Sequence, residues 1–240
     1  MGCSQSQSKI YSPTVKLESN NSVLLVDWIH NDLISDISMA GFENAKVLGK
    51  GKFGIVYMSK CVESKKYVAI KYIPKEIIFE SKALVRIKQE IQFASTLSHP
   101  FIIEYFGNFV TETCIALVFR CALGGEFFTR MKSQETMPET HALFYFAEIA
   151  LALKYLHDMH IVYRDLKPEN ILLDEFGHVK LCDFGFAAYL KREQDGMLND
   201  GCGTAMYVAP EIANGSNRGH GIPVDWWGLG IILYEMLTGI

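Results

Sequence analysis

A glycine-rich turn held between two strand-like runs limits the architectures open to this chain more than any other feature. Lys46-Val47-Leu48 precedes it, Ile55-Val56-Tyr57-Met58 follows it, and the turn reads Gly49-Lys50-Gly51-Lys52-Phe53-Gly54. Without a Cβ the backbone bends sharply and approaches phosphate oxygens closely. Three glycines at this spacing are weak by themselves and suit a dinucleotide-binding fold equally well, but that fold requires a helix directly after them. Here the pattern is strand, turn, strand.

The following segments extend the pattern. Tyr67-Val68-Ala69-Ile70-Lys71 sets a lysine at the end of an apolar strand, where a stray surface lysine is the plain alternative. The helical segment 81–97 offers Glu90 as its carboxylate partner; Glu80 competes, and Glu90 is preferred because it lies mid-helix. Apolar strands are expected around 106–109 and 115–119, and a helix buried on one face over 138–157, from apolar residues at 143, 146, 150, 153 and 156.

Composition excludes several classes. The 240 residues are 49% hydrophobic, enough for a real core, and the net charge of -4 gives no broad basic field, so nucleic acid is not expected as a partner. Six cysteines without a C-x-x-C pair predict reduced thiols. No stretch reaches the about eighteen uninterrupted apolar residues of a membrane span, and no secretory signal opens the chain. Met1-Gly2-Cys3-Ser4-Gln5-Ser6 does fit the pattern for N-myristoylation of Gly2, with Cys3 placed for palmitoylation. One myristoyl chain anchors marginally, so two acyl groups are needed for residence at a membrane. Residues 4–22 read as a mobile polar linker, and Leu25, Trp28, Ile29, Leu33 and Ile37 as an amphipathic helix expected to dock on the core.

The decisive segments lie further on. Ile161-Val162 leads into Tyr163-Arg164-Asp165-Leu166-Lys167-Pro168-Glu169-Asn170; after the strand Val179-Lys180-Leu181-Cys182 comes Asp183-Phe184-Gly185; then Gly203-Thr204-Ala205-Met206-Tyr207-Val208-Ala209-Pro210-Glu211 and Asp225-Trp226-Trp227-Gly228. In this order they resemble the motifs of protein kinases, with Tyr163 where the catalytic loop usually has histidine. Tyr163 together with Lys167-Pro168-Glu169-Asn170 resembles the AGC group of serine/threonine kinases, which includes the cyclic-nucleotide-dependent enzymes. The resemblance spans 42–240.

It implies an α+β, bilobal fold with an antiparallel β small lobe and a mostly helical large lobe, incomplete at the C-terminus. The expected divisions are a lipidated, disordered N-terminus (1–22), an amphipathic helix (23–40), the small lobe (42–119), a hinge (120–125) and the large lobe (126–240). ATP and Mg²⁺ are the implied cofactors. Leu48, Gly49, Gly51, Gly54, Val56, Ala69, Phe119, Arg120 and Ala122 would surround the nucleotide, with Glu126 near the ribose. Lys71, fixed by Glu90, would reach the α- and β-phosphates. Asp165 would accept the substrate hydroxyl proton, Lys167 would neutralise the moving phosphoryl, and Asn170 and Asp183 would hold Mg²⁺. Glu126, Glu169 and Glu235 match acids that read arginines before the target serine, and Thr204 lies beside the substrate. Partners would be basic protein substrates, a regulatory subunit in trans and, through acylation, a membrane surface on the cytoplasmic side.

Three departures qualify the resemblance. Asp200 stands where relatives carry a phosphorylated threonine, and is expected to pair with Arg164 and with Arg86 as a weaker substitute for phosphate, the plain alternative being an exposed loop acid that pairs with nothing. Ala205-Met206 replaces Pro-Glu. The helices expected beyond Ile240 would cover Trp226, Trp227, Leu229, Ile231, Ile232 and Leu233 and pair Glu211, so an unstable or poorly active chain is expected. The rival reading is a catalytically silent module that binds nucleotide or a partner.

Overall fold

The computed structural model describes residues 39–51, 53–78, 81–190, 197–198, 201–214 and 219–240. Gly2, Cys3, the amphipathic segment before residue 39, Glu80 and Asp200 lie outside the described residues.

Alternating β-branched and aromatic residues build the small lobe. After a one-turn 3₁₀ helix at Met39–Gly41 come β1 (Phe42–Gly51), β2 (Gly54–Cys61) and β3 (Tyr67–Pro74), then α1 (Lys75–Ile78) and α2 (Ser81–Thr96), then β4 (Tyr105–Val110) and β5 (Cys114–Arg120). The strands form one antiparallel sheet in the order β1-β2-β3-β5-β4. Side chains alternate across a strand, so successive residues of β5 feed two cores: Ile115 and Leu117 join Ile73, Ile78 and Ile87 beneath α2, while Ala116 and Val118 join Val68, Ile70 and Phe109 on the other face. Lys71 shares the parity of Ile73, and this directs its side chain towards α2.

The large lobe contains β6 (Gly125–Glu126), α3 (Phe127–Lys132), α4 (Glu139–Asp158), β7 (Ile161–Val162), β8 (Ile171–Leu173), β9 (Val179–Leu181), β10 (Ala188–Tyr189), α5 (Pro210–Ala213) and α6 (Pro223–Thr238). Short ribbons β6-β8-β9 and β7-β10 carry the loops between helices. Its core gathers Phe127, Leu153, Leu156, Tyr163, Phe184 and Leu229 among others. Leu181 of β9 donates its N–H to Phe101 O at 2.8 Å and accepts from Ile103 N–H at 2.9 Å, fastening the strand to the segment that leaves α2.

Helix α4 buries a face rotated from the one its apolar positions suggest. Ala142, Ile149, Ala152, Leu153 and Leu156 are buried and Phe146 and Ala150 half-buried, but Leu143 is exposed. The alanines Ala142 and Ala152 lie on the inward face together with Ile149, Leu153 and Leu156. On α6 Leu229 and Ile232 are buried, Ile231 and Leu233 half-buried, and Trp226, Trp227 and Tyr234 exposed. Glu211, expected to be buried without its arginine, is half-buried and makes no ion pair among the described residues; water around it lowers the cost of its charge. Among the described residues no helix is long and apolar enough to cross a membrane.

Candidate active site

Gly54 opens β2 because nothing larger fits: a Cβ there would sit 2.0 Å from the carbonyl oxygen of Tyr72 on β3. Packing within the sheet therefore requires this glycine independently of any ligand. By contrast Gly49 has open space around its missing side chain. Val56 lies opposite Gly49 on β1 and Lys71 on β3, and Ala69 lies opposite Phe119 on β5, so the small-lobe residues expected around a nucleotide share one stretch of sheet. Leu48 is exposed on β1.

Lys71 Nζ lies 2.7 and 2.8 Å from the two carboxylate oxygens of Glu90. Burial opposes a charge on Lys71, but the carboxylates of Glu90 and Asp183 outweigh it and raise its pKa, so the ammonium persists. Burial in turn raises the Glu90 carboxyl, with Lys71 pulling against it. Asp183 itself is exposed, has φ 59° and accepts the Gly185 N–H at 3.2 Å. The field of its carboxylate acts on both members of the pair across the two lobes.

The catalytic-loop residues form a connected network. Asp165 accepts from Thr204 Oγ1 at 2.8 Å on Oδ1, and from Lys167 Nζ at 2.8 Å and Asn170 Nδ2 at 3.0 Å on Oδ2. Lys167 also donates to Thr204 Oγ1 at 2.8 Å. A carboxylate has about four acceptor positions, so Oδ1 keeps capacity for one further hydroxyl. Asn170 spends its amide nitrogen on Asp165, leaving its Oδ1 able to face a cation.

Asp225, only 1% exposed, sets this loop in place from α6. One oxygen accepts the Arg164 N–H at 2.7 Å; the other meets the Tyr163 N–H at 2.9 Å and His157 Nε2 at 2.8 Å. Arg164 has φ 68°, a left-handed conformation that persists only when its surroundings over-determine it. Its Nε donates to Phe186 O at 2.7 Å, joining the loop to the segment after Asp183-Phe184-Gly185. Tyr163, in the usual histidine position, donates its hydroxyl to Cys182 O and packs edge-on against Phe184. Burial holds the tyrosine pKa well above its ordinary value, so the hydroxyl stays a donor. Burial, reinforced by Asp183, likewise keeps the Cys182 thiol neutral.

The remaining expected site residues divide. Arg120 directs its side chain to Glu104 at 2.7 Å and gives its N–H to Glu104 O at 2.8 Å, so neither group is left for the expected adenine slot. Ala122 is half-buried, and among the described residues its N–H has no acceptor. The adjacent Gly124 must lack a side chain, since a Cβ would fall 2.4 Å from Asp174 O. Glu126 and Glu169 are exposed acids. Glu235 differs: it is 8% exposed, accepts from Tyr207 OH at 2.8 Å and lies 3.5 Å from Lys132 Nζ. Asp225 and the Tyr207–Glu235 link were not legible as site features; Asp225-Trp226-Trp227-Gly228 marked only the start of a helix.

This arrangement has known counterparts. The protein kinase domain family matches residues 42–240, and the chain belongs to it. It is 42% identical over 198 residues to the cAMP-dependent protein kinase catalytic subunit of Dictyostelium discoideum, covering 82% of this chain and 30% of that protein. Identity is 39% over 210 residues with the cAMP-dependent protein kinase type 3 of Saccharomyces cerevisiae, covering 88% of this chain and 51% of the relative. With the ribosomal protein S6 kinase alpha-6 of Danio rerio it is 43% over 201 residues, covering 82% and 27%. The chain thus spans about half or less of the length of these relatives, which agree with the AGC-type resemblance drawn from its motifs.

Proposed function

We propose that this chain is a serine/threonine protein kinase of AGC type, transferring the γ-phosphate of ATP to hydroxyls of proteins that carry arginines before the target residue. The observation that supports this best is the convergence of the Lys71–Glu90 pair, within the field of Asp183, on the lobe that holds the Asp165–Lys167–Thr204 network.

Each group has a role its chemistry fits. Lys71, kept charged, places the α- and β-phosphates. The free acceptor position on Asp165 takes the substrate hydroxyl and then its proton, while Lys167 balances charge on the phosphoryl group in flight. Asp183 and the Asn170 amide oxygen are hard donors suited to Mg²⁺, and among the described residues no cluster of three His, Cys, Asp or Glu would hold a metal without phosphate oxygens. Mg²⁺, when bound, neutralises charge on the phosphates. Exposed Glu126 and Glu169 suit arginine recognition, whereas Glu235 acts through Tyr207, which it holds next to the Thr204 network.

The test is transfer of labelled phosphate from ATP to an arginine-rich peptide. The Lys71→Met variant is expected to lose about 10²-fold or more in rate, because it removes a preorganised charge and strands Glu90. A wild-type chain that binds ATP but transfers nothing would favour the silent-module reading.

Membrane association rests on the Met1-Gly2-Cys3 pattern. In cells able to acylate it, the wild type is expected in the membrane fraction and Gly2→Ala in the supernatant after fractionation; an unchanged distribution would exclude a lipid tether.

A further inference from the structure

We propose that Arg86 is a positioning residue for the phosphate-binding turn, clamping the tip of the turn at Phe53 and the segment after Asp183-Phe184-Gly185 at Phe186 to helix α2. The inference rests on the reading of the cleft as an ATP site and adds a component that no sequence motif marks.

Three facts carry it. Arg86 lies one helical turn before Glu90, so the two share a face of α2: Glu90 holds Lys71, and Arg86 reaches the aromatic pair. Its guanidinium carbon is 4.1 Å from the centroid of the Phe186 ring and 6.0 Å from that of Phe53. Among the described residues its side chain makes no ion pair or hydrogen bond that would compete with these two rings. A guanidinium is planar, permanently charged and weakly hydrated, which makes it the cation best suited to lie between two phenyl rings.

The rings occupy mechanically useful places. Phe53 stands between Gly51 and Gly54, which face each other at the start of the β1–β2 hairpin, so it is the tip of the turn. Phe186 has its carbonyl held by Arg164 at 2.7 Å and its ring met by Arg86, so the catalytic loop and α2 both hold this one residue. Helix α2 also lies against the backbone here: a Cβ built on Gly185 would be 3.8 Å from Arg86 Cβ, ordinary contact distance. One side chain therefore joins roof, rear helix and floor of the phosphate site. A glycine-rich turn has much conformational freedom to lose when it closes on phosphates, and a clamp removes part of that freedom beforehand.

The experiment measures ATP affinity of the full 240-residue chain by nucleotide fluorescence, with Mg²⁺ present, for wild type, Arg86→Gln, Phe53→Leu and the double variant. Each single change is expected to weaken binding about three- to tenfold, and the double no more than the worse single, since both break one contact. Arg86→Lys, which keeps charge and helix propensity but loses the planar face, is expected to fall between wild type and Arg86→Gln. Val85→Gln, on an exposed neighbour, is expected to bind like wild type. Effects that multiply in the double variant, or an Arg86→Gln chain that binds as tightly as wild type or more tightly, would overturn the clamp alone. A wild-type chain that binds no ATP would overturn the nucleotide reading together with it.

Discussion

Asp165→Asn is expected to lower kcat for phosphate transfer by about 10²–10⁴-fold with little change in ATP affinity. The substitution keeps the shape of the side chain. Its amide oxygen can face Lys167 and Asn170 and its nitrogen can face Thr204 Oγ1, so the number of hydrogen bonds around residue 165 is preserved. What disappears is a basic oxygen for the incoming hydroxyl and the negative charge opposite Lys167. Single-turnover transfer to peptide, measured beside nucleotide binding, separates these effects. Should binding fall as far as the rate does, residue 165 would be a structural post and not the group that receives the proton.

Loss of the Asp225 carboxylate is expected to be the most damaging single change to stability. Asp225→Ala removes the acceptor for two backbone N–H groups and for His157, all buried, and should cost about 3–5 kcal/mol, a large part of the net stability of a domain. It also releases Arg164 from its left-handed conformation, which slackens the Arg164–Phe186 link. Asp225→Asn keeps one acceptor oxygen and should lose roughly half as much. Urea unfolding reads both through the midpoint at constant slope. Midpoints equal to wild type for the two variants would mean that water replaces the carboxylate without penalty.

Asp165 and Asp225 differ in how visible their surroundings are along the chain. Asp165, Lys167 and Asn170 lie within six positions, and the resemblance of that short segment to the kinase catalytic loop implies their roles. Lys71 and Glu90 are 19 positions apart, yet the pairing was legible because Lys71 ends an apolar strand and Glu90 lies in the middle of the following helix. Asp225 meets residues 61 and 62 positions earlier, and nothing local indicates that its carboxylate turns inward to backbone N–H groups. Glu235 looked like an open acid until its burial and its bond to Tyr207 placed it inside the lobe. The periodicity of α4 places Leu143 in the core, whereas in the fold it is exposed and Ala142 beside it is buried.

Residue type and strand alternation are local properties, and from them the glycine turn and the lysine–glutamate pair could be read in residue order, while the bilobal α+β class followed from the resemblance that the ordered motifs carry. Which donors Asp225 satisfies, why Gly54 tolerates no side chain, and that Arg86 meets both the Phe53 and the Phe186 ring depended on elements distant in sequence being packed together. Burial makes the difference: a polar group removed from water must find partners wherever the fold has brought them, and that choice is made in three dimensions.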